Sequence, residues 1–503
     1  MPPDSPISPP RSIHAWLSRL LGFLIACRFV LLLVAPHYDP SESRYAEISR
    51  KMVETGNWLT PQFDYGVPFW GKPPLSMWMS AVGIQIFGPN EFGSRIFIFL
   101  AAMVVLVLVA KAARREYGEK FGLAAATILM GMPLFFYCSA AVMTDLALAL
   151  GTTLAMVGFR QAILSPSKGW GYGFFIGLAI GLLAKGPLAL VLSIPPIMAW
   201  VVLTGQWRRA WTNIPWISGS LLMLLIAVPW YVMAEKRTPG FLDYFIVGEH
   251  WKRFTVKGWK GDLYGSGHPV TPGAIWFFAI VTTLPWCAGL LAVPFRHWKN
   301  LRSWALENEG RGAYWLLWAL CPLVFFTPAR NVILPYPLPA LPALALILVE
   351  ISWRRTQAGN RTGFHPLHPI VLGVSAALTG FVVVAVLLMP SASFQSSERN
   401  LVNRFAHDKQ PGDQLAYYES RKYSAEFYTQ GKVLLAKTAD DLRSQLDAPG
   451  RLFLQFNPKR FYRLPAETQA RLTKVETFSK ESTLYVEQNA TTPHDSSIDT
   501  HEK

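Results

Sequence analysis

Residues 38–74 read YDPSESRYAEISRKMVETGNWLTPQFDYGVPFWGKPP. The stretch is polar, aromatic and charged, whereas an apolar run of membrane-spanning length precedes it and long apolar runs follow it. Its candidates for a charged site are Asp39, Glu42, Glu47, Arg44 and Lys72. A polar loop of this size between membrane spans usually carries a function. We therefore predict that it forms half of an active site at a membrane surface.

The composition indicates a polytopic membrane protein. The chain has 503 residues, of which 51% are hydrophobic and 16% charged, whereas soluble domains carry about 25% charged residues. The formal net charge of +15 is explained first by basic loops that hold the topology and then by sites for anions. The four cysteines all lie in apolar runs, so no disulfide framework is predicted.

The apolar runs predict an all-α polytopic domain over residues 1–390, with about 11 spans and at most 13. The eleven spans are predicted at 13–36, 93–110, 121–138, 142–159, 170–184, 187–203, 214–233, 272–294, 313–328, 335–352 and 369–389. The run 75–88 is too short to cross easily, which favours an in-plane or re-entrant helix within the first outside loop, 37–92. With the N-terminus inside, every short basic loop is then cytoplasmic, as the positive-inside rule requires.

The composition changes after the last span. Residues 391–490 alternate strand-like and helix-like patterns, which predicts a small soluble α/β domain outside the membrane. Strands are predicted at Gln414–Glu419, Lys432–Ala436, Arg451–Phe456 and Ser482–Glu487. Helices are predicted at Tyr423–Gln430, Ala439–Leu446 and Ala466–Leu472. The tail 491–503 is predicted to be disordered.

The first acids of the loop also fit a helix start. Asp39 could be an N-cap with Pro40 at the first helical position, and Glu42 would complete a capping box. The helix would run over about 40–55 and end at Gly56. Both interpretations stay open, because a capped helix start also holds acids rigidly at a site.

The other unusual polar residues fall on the same outside face in this topology. Ionisable residues at membrane depth are candidates for function, although Lys72 could snorkel, Asp145 could cap a helix and Lys185 could bind helix-end carbonyls. Glu249 and His250 form an acid–histidine pair that could bind a metal, orient a proton transfer or simply end a helix. No P-loop, GxGxxG, HExxH or GxSxG motif is present, so nucleotide hydrolysis is not supported.

The segment PSESRYAEISRKMVETGNWLTPQFDYGVPFWGKPPLSMW resembles the first outside loop of the lipid A aminoarabinose transferases. These belong with the dolichyl-phosphate-mannose–protein mannosyltransferases in the membrane glycosyltransferases of the C fold. The resemblance continues, in the family's order, through FGPNEFGSR, GLLAKGP, PWYVMAEKRTPGFLDYFIVGEHWKRF and YPLPALPALAL. It covers most of residues 38–350.

The resemblance implies a polyprenyl-phosphate sugar donor and inversion at the anomeric carbon. The implied acceptor is lipid A or another envelope glycan or glycolipid, reached from the periplasmic face of a bacterial inner membrane. The N-terminus would be cytoplasmic and the C-terminal domain periplasmic, and no nucleic-acid partner is predicted. A lipid-phosphate leaving group needs cations, and an acid near the acceptor or the sugar completes such a site.

The residues are assigned to roles on this basis. Asp39 and Glu42 are the predicted catalytic acids. The predicted contacts to donor phosphate and sugar are Arg44, Tyr45, Lys72, Lys185, Arg253, Arg330 and Tyr336. The predicted acceptor-side or orienting residues are Glu47, Asp145, Glu249 and His250. No cofactor is assigned; a divalent cation is a candidate, with His250 as a candidate ligand.

Two positions depart from the family pattern. The family's loop usually has an acid where this chain has Ser41, and the aminoarabinose branch has an acid implicated in metal binding where this chain has Gly71. The sugar, the acceptor and metal use therefore stay open. The alternatives are a protein O-mannosyltransferase-like enzyme, a lipid flippase or transporter, and a non-catalytic lipid-binding relative. A transporter would place polar residues near mid-span, on paired broken helices.

Overall fold

The computed structural model describes residues 11–165, 167–265, 269–288, 301–357, 366–388, 397–419 and 421–487. The predicted span 272–294 lies partly outside these residues, and the predicted tail 491–503 lies wholly outside them.

Helices dominate the chain up to residue 388. Their bounds are Arg11–Val34, Ser41–Thr55, Leu75–Phe87, Glu91–Tyr117, Glu119–Met130, Pro133–Cys138, Thr144–Leu164, Lys168–Lys185, Leu188–Thr204, Trp207–Asn213, Trp216–Arg237, Phe241–Asp243, Arg253–Thr255, Ala274–Thr282, Leu301–Phe326, Leu341–Gln357 and Pro369–Leu388. A π-helix spans Tyr244–Lys252 and a 3₁₀ turn spans Leu338–Ala340. Leu301–Phe326 is interrupted by non-helical backbone at Glu307–Gly310. This part of the chain is mostly helical, as predicted, but the all-α expectation is wrong for residues 62–68, which form a short β-hairpin.

Four helices within the described ranges are long and apolar enough to cross a membrane: His14–Val34, Glu91–Tyr117, Thr144–Leu164 and Trp216–Arg237. Leu75–Phe87 has 13 residues and is therefore roughly 20 Å long, shorter than the roughly 30 Å hydrocarbon core of a bilayer. The predicted span 121–138 is two helices rather than one, because Pro133 begins a second helix after a break at Gly131.

The helices Thr144–Leu164 and Lys168–Lys185 pack against each other at very short range. A Cβ atom on Gly177 would lie 2.4 Å from the backbone nitrogen of Ala155, so only glycine permits this approach. Because the two helices are antiparallel neighbours, the start of the first and the end of the second meet at one end of the pair. That end carries Asp145 and Lys185.

The first outside loop is built from the helix Ser41–Thr55, a two-stranded antiparallel hairpin and the helix Leu75–Phe87. The hairpin strands are β1, Gln62–Asp64, and β2, Val67–Pro68. Gly56 ends the first helix with φ of 65°, as predicted. The predicted cap is wrong: the helix begins at Ser41 and no side chain caps it, because Asp39 is used elsewhere.

Residues 397–487, the C-terminal region, form a five-stranded sheet in the order β4-β3-β5-β7-β6. The strands are β3 Gln414–Tyr418, β4 Val433–Ala436, β5 Leu452–Phe456, β6 Leu472–Ser479 and β7 Ser482–Glu487. The helices are Arg399–Asp408, Tyr423–Tyr428, Ala439–Leu446 and Ala466–Arg471, and a 3₁₀ turn spans Phe461–Arg463. β3 pairs in parallel with β4 and β5, and β7 is antiparallel to β5 and β6.

All four strands predicted for this region are present, and so are the three helices. The sequence did not predict β6 or the helix Arg399–Asp408. β6 lies at the sheet edge, where its half-exposed, polar side chains give a weak hydrophobic signal.

Candidate active site

Glu42 forms a buried ion pair with Arg95, at the start of the apolar helix Glu91–Tyr117. Arg95 Nε and Nη2 donate to the two carboxylate oxygens at 2.7 and 2.9 Å. The backbone N–H groups of Tyr38 and Val142 also donate to the carboxylate, both at 3.2 Å. Burial raises the pKa of Glu42, but Arg95 and the neighbouring His37 together outweigh burial, and the pKa lies well below its ordinary value. Glu42 therefore stays ionised and fixes the backbone just ahead of Asp145.

Asp39 ties the first loop to the C-terminal region. Its carboxylate accepts hydrogen bonds from the backbone N–H of Ser424 at 3.0 Å and from the hydroxyls of Ser424 and Ser43. The side chain is buried. Burial raises the pKa of Asp39, and the bonds from the two serines oppose that rise.

Glu47 also lies in a buried ion-pair network. Its carboxylate binds the Arg50 guanidinium at 2.7 and 2.8 Å, and Lys51 Nζ lies 3.5 Å away. Lys51 in turn reaches Glu426 of the C-terminal region at 3.4 Å. The structure thus places Asp39, Glu42 and Glu47 in contacts that join the loop to its neighbours.

A second cluster of charges surrounds Glu249, on the π-helix. Lys72 Nζ lies 2.5 Å from one carboxylate oxygen, and Arg253 Nη1 donates to both oxygens at 3.1 Å. Arg253 also pairs with Asp262 at 3.2 Å. Burial raises the pKa of Glu249, but the charges of Lys72 and Arg253 lower it to about 2. Glu249 is therefore an anion that holds two cations in place.

Lys185 and Asp145 form a buried pair beside this cluster. Lys185 Nζ donates to Asp145 Oδ1 at 2.7 Å and lies 4.9 Å from the ring centre of Tyr336. Asp145 is inside the first turn of its helix and not at the cap position. Its carboxylate instead forms an ion pair with Lys185.

His250 connects the two groups. Its Nε2 lies 3.0 Å from the Lys185 carbonyl oxygen and its Nδ1 lies 2.7 Å from the Phe245 carbonyl oxygen. The neighbouring pair Glu249–His250 therefore holds Lys72 through a side chain and Lys185 through its backbone. Burial lowers the pKa of His250, against the two carbonyl contacts.

Two of the predicted cations lie at the edge of this arrangement. The Arg44 guanidinium donates to the Tyr264 carbonyl oxygen and sits 5.4 Å from the Tyr45 ring centre. The Arg330 side chain is exposed, although its backbone N–H donates to the Phe254 carbonyl next to Arg253. We give the name cation cluster to Lys72, Lys185 and Arg253, which are linked through the adjacent residues Glu249 and His250.

The described residues do not fit a metal ion. They contain no group of three or more His, Cys, Asp or Glu side chains that could hold one, and both His250 nitrogens already face carbonyl oxygens. A Cβ at Gly71 would lie 2.8 Å from the Phe69 ring and 3.3 Å from the Tyr264 ring. An acid at position 71 would therefore have to displace aromatic side chains.

The sequence did not single out several residues that shape the site. Arg95, Ser424, Asp262 and Tyr264 all hold predicted residues in place. The sequence could have predicted a role for Arg95, because an arginine in an apolar helix requires a polar or charged partner. Tyr264 fixes the loop through its hydroxyl, which accepts from Trp70 N–H and donates to the Pro68 carbonyl, both at 2.9 Å; nothing local in the sequence indicates this.

Known proteins share both the sequence pattern and the fold. Residues 19–245 match the family model for dolichyl-phosphate-mannose-protein mannosyltransferase. An undecaprenyl phosphate-alpha-4-amino-4-deoxy-L-arabinose arabinosyl transferase from Edwardsiella ictaluri is 28% identical over 384 residues, which are 73% of this chain and 65% of that protein. One from Pseudomonas fluorescens is 30% identical over 357 residues, 68% of this chain and 58% of that protein. The match thus spans somewhat less than two thirds of these relatives' length.

The crystal structure of ArnT from Cupriavidus metallidurans bound to undecaprenyl phosphate superposes with a TM-score of 0.71. The superposition covers 94% of this chain and 98% of that one at 19% sequence identity. This chain has the C fold of membrane glycosyltransferases. Its predicted resemblance to the lipid A aminoarabinose transferases is confirmed.

Substitutions of Asp39 distinguish a structural role, which is docking of the C-terminal region, from a catalytic role. We expect Asp39→Asn to keep the C-terminal region docked, because an amide still accepts from the Ser424 N–H and can donate to its hydroxyl. We expect Asp39→Leu to loosen it, because the buried donors lose their acceptor at a cost of about 1–3 kcal/mol. Limited proteolysis of the purified chain measures docking as the rate of release of the C-terminal region.

Ser424→Ala is the matched control, since it weakens the same contact from the other side. Ser424→Ala should speed release of the C-terminal region, but less than Asp39→Leu does. If Asp39→Asn remains docked but loses all activity while Ser424→Ala stays active, the carboxylate takes part in chemistry and the structural assignment fails.

Proposed function

We propose that this chain is an integral-membrane inverting glycosyltransferase. It moves a sugar from a polyprenyl-phosphate donor to lipid A or another envelope glycolipid at the periplasmic face. The relatives' names support a donor of the undecaprenyl phosphate-alpha-4-amino-4-deoxy-L-arabinose type. The observation that carries the proposal is the meeting of Lys72, Lys185 and Arg253, held together by Glu249 and His250.

The chemistry proposed for the site is a single displacement. An acceptor oxygen attacks the anomeric carbon from the face opposite the phosphate, the bond from that carbon to the phosphate oxygen breaks, and polyprenyl phosphate leaves with the electron pair. The cation cluster binds the phosphate and stabilises the charge that develops on it as the bond breaks. No step requires a metal ion.

Neighbouring acids reduce the repulsion among the three cations when no ligand is bound. The cluster and Arg44 carry four positive charges, and Asp145, Glu249 and Asp262 carry three negative ones, which leaves one net positive charge. These acids hold the cations in position before the donor arrives, so little rearrangement is needed on binding. An arriving phosphate adds the negative charge that the site lacks.

An acceptor hydroxyl must also lose a proton. Glu249 is a weak base, because its pKa is held at about 2. Asp145 is our candidate base, because a phosphate that binds Lys185 weakens the only ion pair described for Asp145. We assign Asp39 and Glu42, the acids first predicted to be catalytic, to positioning, since Glu42 holds the backbone of Val142 and Asp39 holds Ser424.

A transfer assay tests the proposal. Purified chain is incubated with undecaprenyl-phosphate sugars and lipid A, and the product is identified by mass. We expect an acceptor whose mass is increased by one sugar residue, with inverted anomeric configuration. Protein that binds undecaprenyl phosphate but transfers no sugar from any donor to any envelope acceptor would contradict the proposal and favour a lipid-binding role.

We also propose the membrane arrangement that goes with this function. The chain would cross a bacterial inner membrane about 11 times, with residues 75–88 in the membrane plane, the N-terminus cytoplasmic and the domain 391–490 periplasmic. The basic residues at the end of the helix Glu91–Tyr117, Arg114 and Arg115, support this orientation.

A reporter fusion after residue 115 tests that arrangement. We expect a phosphatase reporter, which is active only in the periplasm, to be inactive there, and a cytoplasmic fluorescent reporter to be bright. The opposite pair of results would make residues 75–88 a true span and place the basic loops outside.

A further inference from the structure

The C-terminal region contains a crevice that the proposed chemistry does not use. It lies where β3 and β5 end, and it has a volume of about 140 Å³. β3 is followed by a helix that leads to β4 at one edge of the sheet, and β5 by a turn and a helix that lead to β6 at the other edge. The two connections therefore diverge at the carboxyl ends of β3 and β5. Ligands of open α/β sheets bind at such switch points.

The polar lining of the crevice is balanced in charge. It contains two bases and two acids: Lys422, Arg460, Glu419 and Glu481. Arg460 and Glu419 lie 3.5 Å apart and neutralise each other. A site for a phosphate would instead show an excess of cations, so the charge favours an uncharged, polar ligand.

Two amides add donors and acceptors to this lining. Gln455 is only 3% exposed, and its Nε2 donates to the Glu481 carbonyl at 3.2 Å, which leaves its amide oxygen for a ligand. Asn457 Oδ1 accepts from the Lys459 N–H at 3.0 Å, which leaves its NH₂ group. Groups that donate beside groups that accept match hydroxyls, because a hydroxyl does both.

Aromatic rings complete the crevice. Tyr418 and Phe456 line it with ring centres 5.4 Å apart. Tyr462 follows on the adjoining turn and is 83% exposed, an unusual position for a large aromatic side chain in a soluble region. A sugar ring presents hydroxyls at its edge and C–H groups on its faces. The amides of the crevice suit the hydroxyls, and the partly covered aromatic wall suits the C–H groups.

The crevice adjoins the first outside loop. Lys422 lies between Arg421 and Tyr423 in the chain, and Arg421 binds the β1 residues Phe63 and Asp64, at 3.3 Å to the carbonyl oxygen and 3.2 Å to the carboxylate. Its rim is thus at the contact between the C-terminal region and the loop that holds the candidate active site.

We propose that this crevice binds one sugar ring of the acceptor glycan; the inference rests on the proposed function. The volume limits the size of the ligand. Pockets for drug-sized molecules measure about 300–1,000 Å³, and the crevice has less than half of the smallest of these volumes. The crevice would hold the acceptor at a sugar distant from the attacking oxygen and would contribute to acceptor affinity.

Saturation-transfer NMR on the full chain in detergent tests binding directly. The probes are glucose, N-acetylglucosamine and methyl mannoside, which are uncharged, with inorganic phosphate followed by phosphorus NMR as the anion control. We expect signals from at least one sugar, reduced about tenfold in Asn457→Leu because one hydrogen bond and the polar edge are lost. Arg460→Ala, at an exposed site, should weaken binding of the same sugar. Asn403→Ala should not, because Asn403 is exposed on the helix Arg399–Asp408 and does not line the crevice.

The transfer assay supplies the second readout. We expect Asn457→Leu and Arg460→Ala to raise KM for the acceptor without changing kcat or the affinity for undecaprenyl phosphate. Phosphate binding without sugar binding, or a sugar signal that both variants leave unchanged, would overturn the proposal. If the wild-type chain transfers no sugar at all, the proposed function fails; if it transfers sugar normally and the crevice variants change nothing, this inference fails alone.

Discussion

Lys185→Met should lower kcat/KM for sugar transfer by about 10²–10³, the loss typical of removing one group that stabilises developing charge. Methionine has a similar length but no charge, so the donor phosphate loses a contact that matters most as the bond to the sugar breaks. Lys185 is buried and its Nζ lies 2.7 Å from Asp145. Its charge therefore acts in a site that excludes most water, where it counts for more.

The helix that ends at Lys185 offers its own control. Lys168, at the other end of Lys168–Lys185, is exposed, and Lys168→Met should leave transfer unchanged. The double variant K185M/D145N removes both buried charges and tests a simpler explanation. If that double variant regains normal transfer, Lys185 merely neutralised Asp145 and does not stabilise the leaving phosphate.

The sequence predicted the members of the cation cluster through a resemblance, because local pattern alone cannot say that residues 72, 185 and 253 meet. It could predict elements that depend on near neighbours, such as the helix ended by Gly56 and the strands of the C-terminal region. It failed where one side chain had two eligible partners. Asp39 could cap its own helix or bind Ser424, which is 385 residues away. In the structure it binds Ser424.

Arg95→Met should destabilise the folded chain more than the substitutions proposed within the first outside loop. Breaking a buried ion pair by removing one partner costs about 3–5 kcal/mol, because the remaining charge stays buried without compensation. Both side chains are at most 5% exposed. Arg95 also donates to the carbonyl oxygens of Leu32, Ala35 and Pro36, so its loss leaves those acceptors unpaired as well.

Thermal unfolding of the purified chain in detergent measures this effect as a fall in the unfolding midpoint. Arg114→Met is the matched control, because Arg114 is on the same helix and pairs with Glu119 at an exposed site. Surface pairs contribute about 0–1 kcal/mol, so this variant should unfold almost as the wild type does. Equal midpoints for the two variants would mean that Glu42 does not depend on Arg95, and would return Glu42 to the list of catalytic candidates.

The position of Glu42 shows why a family motif is a poor guide to the role of one residue. The motif identified the loop, but the same acid can react with a substrate or hold a neighbouring segment. In this chain Glu42 accepts the Val142 N–H, three residues before Asp145, and thereby connects the first loop to the Lys185 pair. Only the contact across 100 residues of sequence distinguishes these roles.

Binding of undecaprenyl phosphate to the purified full chain is the most direct test of the cation cluster. We expect wild-type protein to bind this lipid and to ignore undecaprenol, which has no phosphate. Lys72→Gln and Arg253→Gln should each weaken binding about tenfold, the loss expected from one charge-assisted hydrogen bond, whereas Lys168→Met should not. Equal affinity for the lipid with and without its phosphate, or unchanged binding in both cluster variants, would contradict the assignment of these residues to the donor phosphate.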